Sequence, residues 1–269
     1  TVAHPFVANV AADGIDSGKD IIEGEPYECP MAPFGGVEQL AWSPDSKTIA
    51  YTCRKKTGVD YATSTDSDIF LYNVATGSTK NLCKPEGYKA PEVDYTTSLK
   101  HQAVNNQADD VNVGYDTNPQ FSPDGKYVAW QSMKHDGYES DRNRLCVYNP
   151  ATGEKKYVAE KFDSNVDAFC WAADSKTLYF IGCWHACVNM YQTNINGELK
   201  QLTDDKMDFG SIQMLGNTGK ILASRHSISQ ADELYIVTPG KDPKKTKVQQ
   251  LTFENKAFYD QLEMGKVQE

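Results

Sequence analysis

The phrase "FSPDGKYVAW" at 121–130 returns as "WSPDSKTIAY" at 42–51 and as "WAADSKTLYF" at 171–180. Each time a short polar turn with Asp at its third position opens into a mostly apolar run. A second shared element follows every copy: "DIFLYNVATGSTKNL" (68–82), "RLCVYNPATGEKKYV" (144–158) and "VNMYQTNINGELKQL" (188–202). A fourth, worn copy reads "MLGNTGKILAS" and then "DELYIVTPGKDPKKTKVQQLT". Near the start, "PFVANVAADGIDSGKDI" matches the second element alone. A repeat of this kind constrains the fold more than any local pattern, because one unit cannot bury its apolar face without a neighbour.

Each unit reads as four short strands, placed in the second copy at about 118–121, 127–133, 144–149 and 155–159. Pro presets the first turn position of Ser-Pro-Asp-Gly, and Asp and Gly suit the next ones. "NPATGEK" is a second turn, with Gly where positive φ costs little. Aromatic and β-branched residues are frequent in the runs, as strands prefer. Four-stranded units at a period of ~40–50 residues mark a β-propeller. Phe121 to Trp171 spans one such period, whereas Trp42 to Phe121 spans 79 residues. The first unit therefore carries an insertion at 84–116, which reads as polar with a helical turn or two around 96–110. A β-sandwich, the rival, does not require a motif at a fixed place in each unit. The expected fold is all-β: a propeller of four-stranded blades, four complete and the outer half of another, over 1–252. Both ends read as cut, with 253–269 an extended linker.

The resemblance of particular stretches then narrows the family. "LAWSPDSKTIAY", "YDTNPQFSPDGKYVAW", "DGYESDRNRL", "FIGCWHA" and "SRHSISQADELY", in that order, resemble the propeller of bacterial prolyl-oligopeptidase-type serine peptidases. The nearest branch is the dipeptidyl-peptidase and acylaminoacyl-peptidase one. The likeness covers essentially the whole chain, and "QLTFENKAFYDQLEMGKVQE" resembles the linker into an α/β-hydrolase domain. The family's nucleophile sits in a Gly-x-Ser-x-Gly elbow. No such elbow occurs here; "FGSIQ" and "TGSTK" lack the second Gly. The resemblance thus implies an accessory domain that gates and orients peptides, with a hydrolase domain in cis. The alternative is a stand-alone propeller of the TolB type that binds a protein partner. By the same resemblance the protein is expected in a bacterial periplasm or secreted.

Blade topology collects distant loops. Consecutive strands run antiparallel, so the loop between strands two and three emerges at the same end as the connection to the next blade. In the family that end faces the catalytic cavity. It holds Glu92, Asp94, Asp109, Asp110, Asp116, Glu139, Asp141, Asp163 and Asp167. A carboxylate there suits the ammonium of a free peptide N-terminus. Arg142, Arg144 and Arg225 suit a peptide carbonyl, and His185 and His226 are loop histidines at the same end. The substrate-facing candidates are therefore Glu139, Asp141, Arg142, His185, Arg225 and His226; the bland reading of each is a solvated turn residue. No catalytic residue is assigned, because no Gly-framed elbow presents Ser227 beside His226.

In "CWHAC", Cys183, His185 and Cys187 alternate, and a strand would place all three on one side. No fourth ligand accompanies them, so the expectation is a strand end with an ordered His and neither metal nor cofactor. The seven cysteines, an odd number, read mostly as reduced and buried small hydrophobes. With 37 acidic against 27 basic residues, the net charge of −10 argues against a nucleic-acid partner. No apolar run approaches the ~20 residues of a membrane helix. Four and a half blades would leave end faces bare, at Phe6, Val7 and Val10 and at Leu234, Tyr235 and Ile236. A homodimer that covers them is expected.

Overall fold

The computed structural model describes residues 2–90 and 111–265. Among the described residues, twenty short strands form four four-stranded antiparallel sheets and two small two-stranded ladders. The ladders pair β1 (Phe6–Val7) with β4 (Lys19–Asp20), and β2 (Val10–Ala11) with β3 (Gly14–Ile15). The first full sheet is β5 (Leu40–Trp42), β6 (Thr48–Cys53), β7 (Asp68–Asn73) and β8 (Thr79–Asn81). The second is β9 (Asp116–Phe121), β10 (Val128–Ser132), β11 (Arg144–Tyr148) and β12 (Lys155–Tyr157). The third is β13 (Ala168–Trp171), β14 (Thr177–Trp184), β15 (Cys187–Asn194) and β16 (Lys200–Gln201). The fourth is β17 (Asp208–Met214), β18 (Ile221–Ser227), β19 (Gln230–Thr238) and β20 (Lys247–Gln250). In all four, each strand pairs with its sequence neighbour, which is the blade order the repeat requires. The chain is a β-propeller of four-stranded blades.

The repeated phrase is a repeated hydrogen-bond pattern. Ser43 N donates to Thr48 O, Ser122 N to Tyr127 O, Ala172 N to Thr177 O, and Leu215 N to Lys220 O. Inside each, the fourth turn residue donates back to the first: Ser46 to Ser43, Gly125 to Ser122, Ser175 to Ala172, Thr218 to Leu215. Ser46, Gly125 and Ser175 all have positive φ, which Gly adopts at little cost and Ser adopts here at some strain. The worn fourth copy keeps both bonds and moves the positive φ to Gly219. In the first two turns the Ser hydroxyl and the Asp carboxylate close the loop: Ser43 Oγ to Asp45 at 2.7 Å, Ser122 Oγ to Asp124 at 2.8 Å.

Contacts divide the chain into two compact units, 1–142 with 146–155, and 143–145 with 156–269. In the first, Ile21, Ile22 and Cys29 pack with Ile49, Tyr51, Cys53, Phe70 and Tyr72, so the segment before β5 covers the first blade. In the second, Ile181, Met190 and Leu202 of one blade pack against Phe209, Ile221, Ala223 and Val237 of the next. Five cysteines are buried, but Cys183 is exposed and Cys187 half-buried; all seven are free.

Several expectations need correction. Residues 253–265 are not extended: α2 (Lys256–Tyr259) makes a helical turn, and the segment folds back on β19. Glu233 accepts from Thr252 Oγ1 and, at 3.0 Å, from Asn255 N, while Tyr259 Oη accepts from Ala231 N at 2.7 Å. Of the residues expected bare at the ends, Phe6, Val10 and Leu234 are exposed, but Val7 and Ile236 are half-buried and Tyr235 is buried. Tyr235 has its ring 5.0 Å from the Arg225 guanidinium within its own blade. The helical turn expected around 96–110 lies outside the described residues.

Candidate functional site

In the first unit the site is built from three segments. The β6–β7 loop (54–67) includes α1 (Gly58–Thr63). It is pinned to the β10–β11 loop (133–143) through Asp136, whose buried carboxylate accepts from Ser64 Oγ at 2.6 Å and Thr65 N at 2.8 Å. Gly137 N returns a bond to Thr65 Oγ1 at 2.8 Å. Arg54 is buried beneath, donates to Ser64 O at 2.9 Å, and lies 4.1 Å from the centre of the Tyr61 ring. Desolvation of a guanidinium is tolerable here because a carbonyl and a ring face replace part of its water.

The third segment is the stem of the insertion. Lys84 reaches Asp66 at 2.7 Å and also bonds Asp68, while Lys56 reaches Asp66 at 3.1 Å. Asn81 Nδ2 adds a bond to Asp68 at 2.8 Å. Burial opposes the Lys84 charge, but Asp68 and Asp66 outweigh it and hold its pKa above the ordinary lysine value. Burial raises the Asp68 pKa, opposed by Lys84 and reinforced by Asp66. Opposite, Lys155 Nζ binds Asn112 Oδ1 at 2.7 Å and Cys83 O at 3.3 Å, and Asn112 N donates to Cys83 O. The two ends of the insertion are thereby held side by side.

The second unit repeats the plan with different chemistry. The β14–β15 hairpin turns on His185 and Ala186 alone, with φ of 52° and 60°. Both residues sit in the positive-φ conformation of a tight two-residue hairpin without a glycine. Trp184 pairs with Cys187 and Cys183 with Val188. Cys183 and Cys187 therefore lie on opposite strands and His185 in the turn, so the one-sided strand reading of this motif is overturned. Among the described residues no group of His, Cys, Asp and Glu is arranged to hold a metal.

The sequence candidates fare unequally. Glu139 is exposed on the β10–β11 loop. Asp141 shares that loop but accepts from His135 N at 2.7 Å and His135 Nδ1 at 2.8 Å, so it shapes the loop. Arg142 is half-buried at the loop's foot. Arg144 lies over the Tyr157 ring at 3.8 Å. Arg225 is buried between Phe209 and Tyr235 and bonds Asp205, so it presents Asp205 and not itself. His185 is exposed and stacks on Trp184 with centroids 4.9 Å apart. His226 Nδ1 lies 3.2 Å from Asp232. Asp163 and Asp167 are exposed, whereas Asp116 is not on the surface at all. It is fully buried, bonded by Trp130 Nε1 at 2.5 Å and Asn112 Nδ2 at 2.8 Å, and burial raises its pKa to about 7. Glu92, Asp94, Asp109 and Asp110 lie outside the described residues. Sequence reading missed Asp136 and the Lys84 network, because nothing local marks an Asp or Lys as buried.

No family model matches the chain. A curated relative, dipeptidyl-peptidase 5 of Porphyromonas gingivalis, is 43% identical over 97% of this chain and 34% of its own length. Dipeptidyl-peptidase 5 of Porphyromonas endodontalis is 39% identical over 97% of this chain and 33% of its length. The chain is a propeller domain related to these dipeptidyl-peptidases. It spans about a third of the length of these curated relatives. Among solved structures, a TolB of Agrobacterium tumefaciens, described as putative, superposes with a TM-score of 0.52 at 11% identity, over 80% of this chain and 74% of that one. That likeness concerns the propeller fold alone.

Proposed function

We propose that this domain is the non-catalytic part of a serine exopeptidase, and that it gates and orients oligopeptides for an α/β-hydrolase domain in cis. The observation that carries the reading is 43% identity, along 97% of the chain, to a dipeptidyl-peptidase, in a sequence with no Gly-x-Ser-x-Gly elbow. Supporting it, one end of each blade collects polar loops rich in carboxylates, which suit the ammonium of a free peptide N-terminus. Glu139 is the exposed acid of the β10–β11 loop, and Asp141 shapes the loop that presents it. The parent's place is a bacterial periplasm or the outside of the cell, and two copies of this chain pair to cover its end blades.

The isolated chain is expected to resist labelling by a serine-directed fluorophosphonate probe and to leave dipeptidyl chromogenic substrates intact. Labelling of Ser227, or of any other serine, overturns the reading. In the full-length enzyme, Glu139→Ala is expected to cost about 1–3 kcal/mol in kcat/KM for free-amine substrates, the value of a charged hydrogen bond. Acetylated substrates are expected to lose much less. Equal losses for both would remove Glu139 from N-terminus recognition.

A further inference from the structure

The two ends of the blades differ in a way that the repeat makes systematic. The turns between strands one and two are polar, with Pro44-Asp45, Pro123-Asp124, Ala173-Asp174 and Asn217-Thr218 at their tips. The ends between strands two and three each carry one large apolar residue in solvent, in α1, in the β10–β11 loop, as the last residue of β14 and in the β18–β19 turn. These are Val59 (72% exposed), Tyr138 (51%), Trp184 (44%) and Ile228 (87%). A single exposed apolar side chain needs no explanation. One at the same end of every blade, and none at the opposite turns, does.

The second unit holds its two tips firmly. The β14–β15 stem is gripped from both sides: the Asp167 carboxylate accepts from Cys183 N, and Asp208 Oδ1 accepts from Val188 N at 2.7 Å. Cys183 and Val188 face each other across the hairpin, so the outward amides of one pair are both capped. Above this grip the Trp184 indole stacks on the His185 ring, 21° from parallel. Asp208 in turn pairs with His226, two residues before Ile228 at the tip of the neighbouring β18–β19 hairpin. The surroundings are acidic: the connections 159–167 and 203–208 contain six carboxylates against two lysines. Of the six, Asp205 is paired with Arg225, and Asp167 and Asp208 cap backbone amides. A rigid aromatic surface and an aliphatic one, above an anionic rim, match a ligand with an apolar side chain and a positive charge close by.

We propose that the Trp184–His185 stack and Ile228 form an apolar contact for a side chain of a bound, positively charged peptide, with the acidic rim steering its charge. This rests on the peptidase reading above and specifies which residues hold the peptide. The His185–Ala186 turn matters because it orients the indole without a flexible glycine, so little freedom is lost on binding.

The test uses the chain with fluorinated tryptophan. Of its four indoles, Trp130 and Trp171 are buried, and Trp42, 52% exposed on β5, is the internal control. A short peptide with Phe near a free N-terminus is expected to shift the Trp184 fluorine resonance saturably, and Trp42 not at all, by about 10 mM. Acetylating the peptide, or Ile228→Ser with unchanged circular dichroism, is expected to weaken binding by about tenfold. A Trp184 signal that stays still, that moves equally with a glycine-only peptide, or that moves together with Trp42 overturns the proposal. Reactivity of the full-length enzyme with the fluorophosphonate probe does not depend on Trp184. Its absence would defeat the peptidase reading, whereas its presence with a silent Trp184 would defeat this proposal alone.

Discussion

Lys84→Met is expected to cost about 3–5 kcal/mol of unfolding free energy at neutral pH, read from the urea midpoint at constant slope. The methionine keeps most of the stem's volume, so the loss reports charge. Asp68 would keep its bond from Asn81 but lose the ammonium that balances it in a buried place. Asp66 would keep Lys56 at 3.1 Å. An unpaired buried carboxylate is relieved by taking up a proton. The penalty is therefore expected to shrink as pH falls, since the Asp68 pKa is already raised by burial. Adding Asp68→Asn to Lys84→Met is expected to restore a large part of the stability, because the two residues share one interaction. A loss below ~1 kcal/mol for Lys84→Met, the range of exposed ion pairs, would show that the network is hydrated.

Asp116→Asn is expected to change the shape of the stability profile between about pH 4 and pH 7. In the folded protein burial raises the Asp116 pKa to about 7, whereas an unfolded aspartate ionises near ~4. A raised folded pKa means that the native state binds the extra proton. Its contribution is therefore fully present below the unfolded value and is lost as pH rises through the folded one. For a fully buried group the loss across that window is on the order of 4 kcal/mol. The asparagine variant does not titrate and is expected to lose this slope, leaving the part due to Asp68. Parallel profiles for the two proteins would mean that Asp116 is ionised throughout, with Trp130, Asn112 and Ser132 compensating its burial.

Much of the architecture was legible beforehand because its cause is local. The Ser-Pro-Asp-Gly phrase encodes a turn whose bonds lie within six residues, and Asn73, Asn149 and Asn194 cap the second turn in the same self-contained way. Such pieces survive repetition, so their number and spacing announced the blades and placed the loops at one end. The end of the chain was less legible. "FENKAFYDQ" contains no strong helix signal, and its helical turn is held by Glu233, which lies 22 residues before Asn255.

The sequence by itself determined the blade, its four-strand order, the missing elbow and the acidic character of the loops, since these follow from short-range patterns and from what the chain contains. Tertiary structure alone decided what each charged residue is for. Asp116, Asp141 and Arg225 looked like Glu139 in the sequence, yet one is buried beneath Trp130, one is occupied by His135, and one is stacked between two rings. The same holds for "CWHAC", where two positive-φ residues turned an alternating strand into a hairpin. The physical reason is that a side chain's ionisation and availability depend on which distant groups replace its water, and no window of sequence contains those groups.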